Sequence, residues 1–165
     1  MKYCPQCGSG LELRAIDGVE RLACPCKTCG FVYWDYPVPV VAALVSYRDC
    51  YVLARHAGWP TGLFSLITGY LERNETPEQA VVREVREELG LRGRVTRHIG
   101  NYPFLRKNQL LLAYEVVGSG TLAVNHELVE LKQLLPEELA RYDFGPLSLT
   151  QAIVTDWCAF KTRSA

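Results

Sequence analysis

Carboxylates are concentrated between Gly69 and Leu91, in the sequence GYLERNETPEQAVVREVREELGL. At about 100° per residue, Glu84, Glu87 and Glu88 fall within an arc of roughly 100° on a helix. Like charges at this spacing repel each other and destabilise the helix unless a cation is present. Carboxylates on a rigid element suit Mg²⁺, which completes its coordination with water and substrate phosphates. The spacing is therefore compatible with a Mg²⁺ site that binds phosphates.

A capped helix must position these acids. Thr76 can cap the first free N–H groups, Pro77 suits the first helical position, and Gln79 completes a capping box. Gly90 ends the helix, because glycine tolerates the left-handed conformation found there. The arc beside the acids is apolar and is expected to face a core; it consists of Val81, Val82, Val85 and Leu89.

A solvated, charged helix is the alternative interpretation of the same pattern, because exposed helices often carry many charges. In either case Arg83 lies beside the acidic arc. It can pair with Glu87 one turn later, or reach back to Glu75 in the preceding loop. Composition alone does not separate a metal site from a solvated surface.

The complete pattern of residues from Gly69 to Leu91 distinguishes a metal site from a solvated surface. Gly69, Glu75 and the run from Arg83 to Leu91 resemble the Nudix box, GX5EX7REUXEEXGU with U aliphatic, at every fixed position. The resemblance implies an α/β fold, an α/β/α sandwich with a mixed sheet. It also implies a hydrolase (EC 3.6.1 type) that uses a divalent metal to cleave a diphosphate joined to another moiety.

Roles for individual residues follow from the same resemblance. The catalytic Mg²⁺ (or Mn²⁺) is expected on the carbonyl of Gly69 and on three carboxylates, those of Glu84, Glu87 and Glu88. Glu75 and Arg83 are expected to form a supporting ion pair.

Many family members carry an additional catalytic or metal-binding glutamate well after the box. Glu127 matches that placement best, with Glu130 second. A general base must reach the attacking water and have a suitable pKa, and sequence shows neither property. Both Glu84 and Glu127 therefore stay open as the base.

The cysteines indicate a second metal. Cys4, Cys7, Cys26 and Cys29 form two CxxCG knuckles separated by eighteen residues, a spacing typical of structural Zn²⁺ sites. Cys24 is an alternative ligand, although Cys26 fits the two-residue spacer better. A segment of about 35 residues buries too little apolar surface to fold alone, so the zinc is expected to be structural.

These observations divide the chain into a zinc ribbon at 1–35 and a Nudix hydrolase domain at 36–165. In the second domain, apolar runs and alternation predict strands at 38–47, 50–55, 63–68, 94–101 and 109–117, with a loop leading into another strand within 126–134. Helices are predicted at 136–139 and 148–161, besides the acidic helix. The strand at 38–47 is expected to be buried on both faces.

Composition excludes several classes of protein. Lys and Arg together number 18, as do Asp and Glu, and the ribbon has four residues of each sign, so nucleic acid is an unlikely partner. The N-terminus lacks the apolar core of a signal peptide, and no apolar run is long enough to span a bilayer. We expect a cytoplasmic protein with a small nucleotide substrate, and a homodimer stays open.

The substrate must be recognised outside the box. A zinc ribbon before a Nudix domain resembles the NADH pyrophosphatase group, but the SQPWPFPxS motif of that group is missing, and the region reads RHIGNYPFLRKNQ. ADP-ribose and FAD are therefore preferred to NADH, with a nucleoside monophosphate as product. Cleavage of nucleotide-pool triphosphates and a non-catalytic nucleotide sensor are the alternatives.

Two loops carry aromatic residues that could contact a nucleotide. Trp59 could stack on a ring or cover the edge of the core. Phe104, with Arg106 and Lys107 beside it, could stack a base and hold a phosphate, or form a solvated hairpin tip.

Overall fold

A computed structural model describes residues 1–163, which form parts of two compact units, Met1–Tyr36 and Pro37–Ala165. The first unit is an antiparallel sheet of three short strands in the order β1 (Glu12–Ile16), β2 (Val19–Ala23) and β3 (Val32–Tyr33). All of β1 except its last residue is exposed. So small a sheet has little apolar core of its own.

The second unit is built on a mixed sheet of six strands. They are β4 (Val38–Tyr47), β5 (Cys50–His56), β6 (Ile67–Tyr70), β7 (Arg92–Phe104), β8 (Gln109–Ser119) and β9 (Leu128–Leu134). The main order is β7-β8-β4-β5-β9, and β6 pairs with β4. Among the strands within residues 1–163, only β4 and β8 pair in parallel. The predicted α/β class and mixed sheet are confirmed.

Helices cover both faces of this sheet. One face packs on α1 (Pro77–Leu89), and the other packs on α2 (Pro136–Ala140) and α3 (Ser148–Arg163). Because β4 lies between these layers, its central residues, 41–45, are completely buried. The predicted sandwich is confirmed, and so is the prediction that this strand is buried on both faces. No helix within residues 1–163 is long and apolar enough to cross a membrane.

The acidic helix begins and ends as its sequence predicts. The Thr76 hydroxyl accepts a hydrogen bond from the Gln79 N–H, and the Gln79 side chain accepts one from the Thr76 N–H at 2.8 Å. Gly90 ends the helix in the left-handed conformation, and its N–H donates to the Arg86 carbonyl. Val81, Val85 and Leu89 are completely buried against the sheet, so core packing fixes the rotation of the acidic face.

One strand prediction was wrong. The strand before α1 begins at Ile67 rather than at residue 63. Residues 63–66 instead form a loop that is tied to β5 by paired backbone hydrogen bonds of 2.9 Å between Ser65 and Ala54. Phe64 and Leu66 are buried in this loop, which explains why its apolar sequence resembles a strand.

Candidate active site

The connection from β6 into α1 brings Gly69 against Glu84. A Cβ built on Gly69 would overlap the carboxyl group of Glu84. Gly69 itself lies in β6, paired with Val41 of the buried central strand. Only a residue without a side chain allows the Glu84 carboxylate to approach the backbone of this strand.

Arg83 organises the carboxylates around it. Its guanidinium forms ion pairs with Glu75 at 2.8 Å, Glu84 at 2.7 Å and Glu87 at 3.2 Å, and it donates to the Tyr70 carbonyl. The two partners suggested for Arg83 by sequence, Glu75 and Glu87, are therefore both in contact with it. Hydrogen bonding to Arg83 lowers the pKa of Glu75, and the Glu72 N–H acts in the same direction.

Glu88 is the unusual acid of the group. It is 3% exposed, and its Oε2 has no hydrogen-bond partner among the described residues, 1–163. Burial raises its pKa to about 8, and the negative charges of Glu84, Glu127 and Glu87 act in the same direction. Burial also raises the pKa of Glu84, although Arg83 opposes the shift. A buried carboxylate in these surroundings is suited to a cation.

These acids line one cavity of about 440 Å³. Glu127 enters it from the loop before β9 and so meets the acids of α1, as the sequence placement predicts. Glu130 does not line this cavity and instead pairs with Arg55 at 3.0 Å. Glu75 is also outside the lining and contacts the site through Arg83.

Sequence reasoning missed several residues that line the acidic cavity, among them His56, Gln109 and Asn125. The Asn125 side chain accepts hydrogen bonds from the backbone N–H groups of Glu127 and Leu128, at 3.0 and 3.3 Å. The backbone N–H of Asn125 donates to the Glu88 carbonyl. Asn125 therefore connects the end of α1 to the turn that carries Glu127. An asparagine two residues before the candidate glutamate is a typical turn signal and could have indicated this role.

Four cysteine sulfur atoms lie close together in the first unit. The Sγ atoms of Cys4, Cys7, Cys24 and Cys29 all lie within 4.8 Å of one another. Burial raises the pKa of Cys24 to about 12, whereas hydrogen bonding with Ser9 lowers that of Cys7 to about 6. Four thiols at this separation are compatible with the sulfur donors of a tetrahedral structural Zn²⁺ site.

Cys24, and not the predicted Cys26, is the fourth thiol of this cluster. The Cys24 N–H donates to the Phe31 carbonyl at 2.8 Å, which holds Cys24 at the end of β2 near the other thiols. Cys26 begins a turn in which its carbonyl accepts from the Cys29 N–H, and its Sγ lies 3.2 Å from Thr28 Oγ1. The hairpin path, rather than the CxxC spacing, therefore decides which thiol joins the cluster.

The mixed sheet between helices and the glutamate-rich helix α1 together form the fold that the sequence predicts. The family model for the NUDIX domain matches residues 36–158. This chain belongs to the Nudix family, which confirms the family suggested by the box.

Two curated relatives illustrate the similarity. The chain is 32% identical over 114 residues to the NAD-capped RNA hydrolase NudC of Vibrio atlanticus (strain LGP32), which covers 69% of this chain and 41% of that protein. It is 30% identical over 146 residues to the protein of the same name from Klebsiella pneumoniae, covering 88% and 54%. The chain thus spans about half or less of the length of these relatives.

Solved structures show the same fold. A NUDIX hydrolase from Nitrosomonas europaea superposes with a TM-score of 0.82 at 21% identity, covering 99% of this chain and 93% of that one. An ADP-ribose pyrophosphatase from Streptococcus suis superposes with a TM-score of 0.56 at 20% identity, covering 72% and 89%.

Proposed function

We propose that this chain is a Nudix pyrophosphohydrolase. Its substrate is a nucleoside diphosphate joined to another moiety, as in ADP-ribose, FAD or NADH-like molecules, and one product is a nucleoside monophosphate. The observation that carries the proposal is the buried Glu88, whose Oε2 has no hydrogen-bond partner within residues 1–163, among other acids in one cavity. Two similar proteins, the NAD-capped RNA hydrolase of Vibrio atlanticus and the ADP-ribose pyrophosphatase of Streptococcus suis, support the same substrate class.

A divalent cation fits the acidic cavity. The carboxylates of Glu84, Glu87 and Glu88 and the carbonyl of Gly69 would hold Mg²⁺ or Mn²⁺, which are oxygen-seeking ions. The unpartnered Glu88 oxygen supports this assignment, because a buried anion without a partner is costly. When bound, the cation supplies positive charge that neutralises phosphate oxygens and makes water more acidic.

The protein's own residues orient the reactants. Arg83 fixes Glu84 and Glu87 through ion pairs, and its pairing with Glu75 fixes Arg83 in turn. Water attacks one phosphorus of the diphosphate, and the bond from that phosphorus to the bridging oxygen breaks. We assign proton acceptance to Glu127, because Glu84 is already engaged by Arg83 while Glu127 lines the cavity from the opposite loop.

Lys107 and Gln109 line the acidic cavity from the side of β8. The Lys107 ammonium is a cation that can pair with a phosphate, and the Gln109 amide, which donates to the Tyr70 hydroxyl at 3.2 Å, is a neutral donor. These residues offer hydrogen bonds to a substrate that the carboxylates would otherwise repel.

The four-thiol cluster would hold structural Zn²⁺ in a ribbon at 1–35, ahead of a hydrolase domain at 36–165. Zinc in such a ribbon replaces the core that a small sheet lacks. Cytoplasmic location and a homodimer remain predictions.

Hydrolysis of a substrate panel tests the function. ADP-ribose, FAD, NADH, diadenosine polyphosphates and nucleoside triphosphates are incubated with Mg²⁺, and products are identified by mass spectrometry. We expect one diphosphate-linked class to be cleaved, and Glu87→Gln to reduce kcat by about a hundredfold or more, because it removes a charged ligand.

Glu137→Gln is the matched control, since Glu137 is an exposed glutamate on α2. It should retain full activity. If no substrate is cleaved with Mg²⁺ or Mn²⁺ while nucleotides still raise the melting temperature, a nucleotide sensor replaces the hydrolase.

A further inference from the structure

A second cavity, of about 390 Å³, adjoins the acidic one. The two share four lining residues, Val40, Thr68, Lys107 and Gln109. A molecule whose diphosphate lies among the carboxylates therefore has the second cavity as its neighbouring space. Its volume lies within the range of sites for small organic ligands.

The walls of the second cavity suit a flat ring. Trp59 and Phe104 line it, together with aliphatic residues such as Leu66 and Ile153. Aromatic side chains stack on planar heterocycles and contribute to binding through their faces. The walls alone would equally accept an aliphatic group, so the selectivity must come from another feature.

That feature is a pair of buried hydroxyls in the lining. The Oγ of Ser65 and the Oγ1 of Thr150 lie 2.8 Å apart, and the two residues are 5% and 8% exposed. Each hydroxyl has one donor and two acceptor positions, and their mutual bond uses one of each. The pair therefore has one O–H and several lone pairs left for a ligand, and an aliphatic occupant would leave them unsatisfied.

Lys107 lies at the junction of the cavities. Its Nζ is 5.6 Å from the centroid of the Phe104 ring, and the residue lines both spaces. In a nucleotide, the negative phosphate and the flat base are separated by the sugar. The acidic cavity, Lys107 and the aromatic cavity follow one another in the same direction as the phosphate end and the base end of a nucleotide.

We propose that the second cavity binds the nucleobase of the substrate, and that Ser65 and Thr150 select a polar heterocycle over an aliphatic group. This assignment rests on the proposed function, since it names the part of the substrate that the carboxylates do not contact. Phe104 and Trp59 form the flat walls, and the hydroxyl pair contacts the polar edge of the base.

The test measures nucleoside binding, which needs neither Mg²⁺ nor catalysis. Adenosine, guanosine, cytidine, uridine and free ribose are titrated into the Mg²⁺-free full chain with its zinc retained, and binding is followed by ¹H–¹⁵N NMR. We expect at least one nucleoside to bind about tenfold or more tightly than ribose, with shifts at residues lining the second cavity.

The double variant Ser65→Ala/Thr150→Val removes both hydroxyls and keeps the cavity close to its original size. We expect it to weaken binding of the preferred nucleoside about tenfold, the effect of one or two lost hydrogen bonds, and to leave ribose unchanged. Thr155→Val is the matched control, because Thr155 is an exposed residue of the same helix whose hydroxyl bonds to the Gln151 carbonyl. Phe104→Leu, at the half-buried edge, should also weaken nucleoside binding if the double variant fails to fold.

Several results would overturn the assignment. They are equal affinity for ribose and nucleosides, unchanged nucleoside affinity in the double variant or in Phe104→Leu, or a preference for an alkyl diphosphate over nucleotide substrates in the wild type. Failure of the proposed hydrolysis would look different, because nucleosides would still bind in the second cavity while no diphosphate is cleaved.

Discussion

The two candidate metal sites are positioned in opposite ways. In the first unit, four thiols converge from turns and from the ends of short strands, of which β1 is largely exposed. In the second unit, three of the acids are carried by a thirteen-residue helix whose Val81, Val85 and Leu89 are completely buried. We infer that zinc holds the first unit together, whereas the core of the second unit holds its carboxylates in place before any metal binds.

Loss of zinc should have the largest effect and should be confined to the first unit. Zinc binding contributes about 10–16 kcal/mol of folding free energy in small zinc domains. Cys24→Ser is therefore expected to abolish stoichiometric zinc and to unfold residues 1–36 while the second unit stays folded. Elemental analysis measures the zinc, and ¹H–¹⁵N NMR follows each unit.

Cys26→Ser is the matched control, because Cys26 lies outside the four-sulfur cluster. It should retain one zinc per chain. Retention of zinc by Cys24→Ser, together with its loss from Cys26→Ser, would show that the ligand set is wrong.

Glu88 should make the Mg²⁺-free second unit sensitive to pH. Its pKa, raised to about 8 in the folded state, exceeds the usual value of 4.5, so between these pH values the folded protein binds more protons than the unfolded chain. The free energy of unfolding should therefore decrease from pH 5 to pH 8, by on the order of a few kcal/mol.

Glu88→Gln cannot ionise and should flatten this dependence in urea titrations at the two pH values. It should also be more stable than the wild type at pH 8 without Mg²⁺, and lose stabilisation by Mg²⁺. An identical pH slope in wild type and variant would contradict the view that burial raises the pKa of Glu88.

Gly69→Ala tests the close approach between β6 and Glu84. The added methyl group would overlap the Glu84 carboxyl, so we expect the free energy of unfolding to decrease by about 1–3 kcal/mol. We expect kcat to lose a larger fraction of its wild-type value than the free energy of unfolding does. Gly58→Ala is the control, because a Cβ at Gly58 meets no atom within 4 Å in the described chain. Full activity in Gly69→Ala would contradict the proposed geometry.

The smallest effect is expected at Glu115, a buried acid with three partners on one of its oxygen atoms. Its Oε1 accepts hydrogen bonds from Tyr51 at 2.9 Å and Trp157 at 3.0 Å, and pairs with Lys161 at 3.2 Å. Tyr51→Phe removes one donor and should cost about 1–2 kcal/mol in thermal or urea unfolding, without changing kcat. A fall in kcat would mean that the two faces of the sheet are coupled.

Sequence by itself determined the features that depend on neighbouring residues. The capping box at Thr76 and Gln79, the left-handed end at Gly90 and the shared arc of Glu84, Glu87 and Glu88 all follow from spacing along one helix. Such features need only local geometry, so the box could predict both the fold class and the acidic helix.

Tertiary structure decided the features that depend on distant parts of the chain. The path of the β2–β3 hairpin brings Cys24 rather than Cys26 to the other thiols, and the turn at Asn125 brings Glu127 into the cavity. Ser65 and Thr150 meet although 85 residues separate them in sequence. Spacing could not predict these contacts, because each depends on which strands pair and how the helices pack on them.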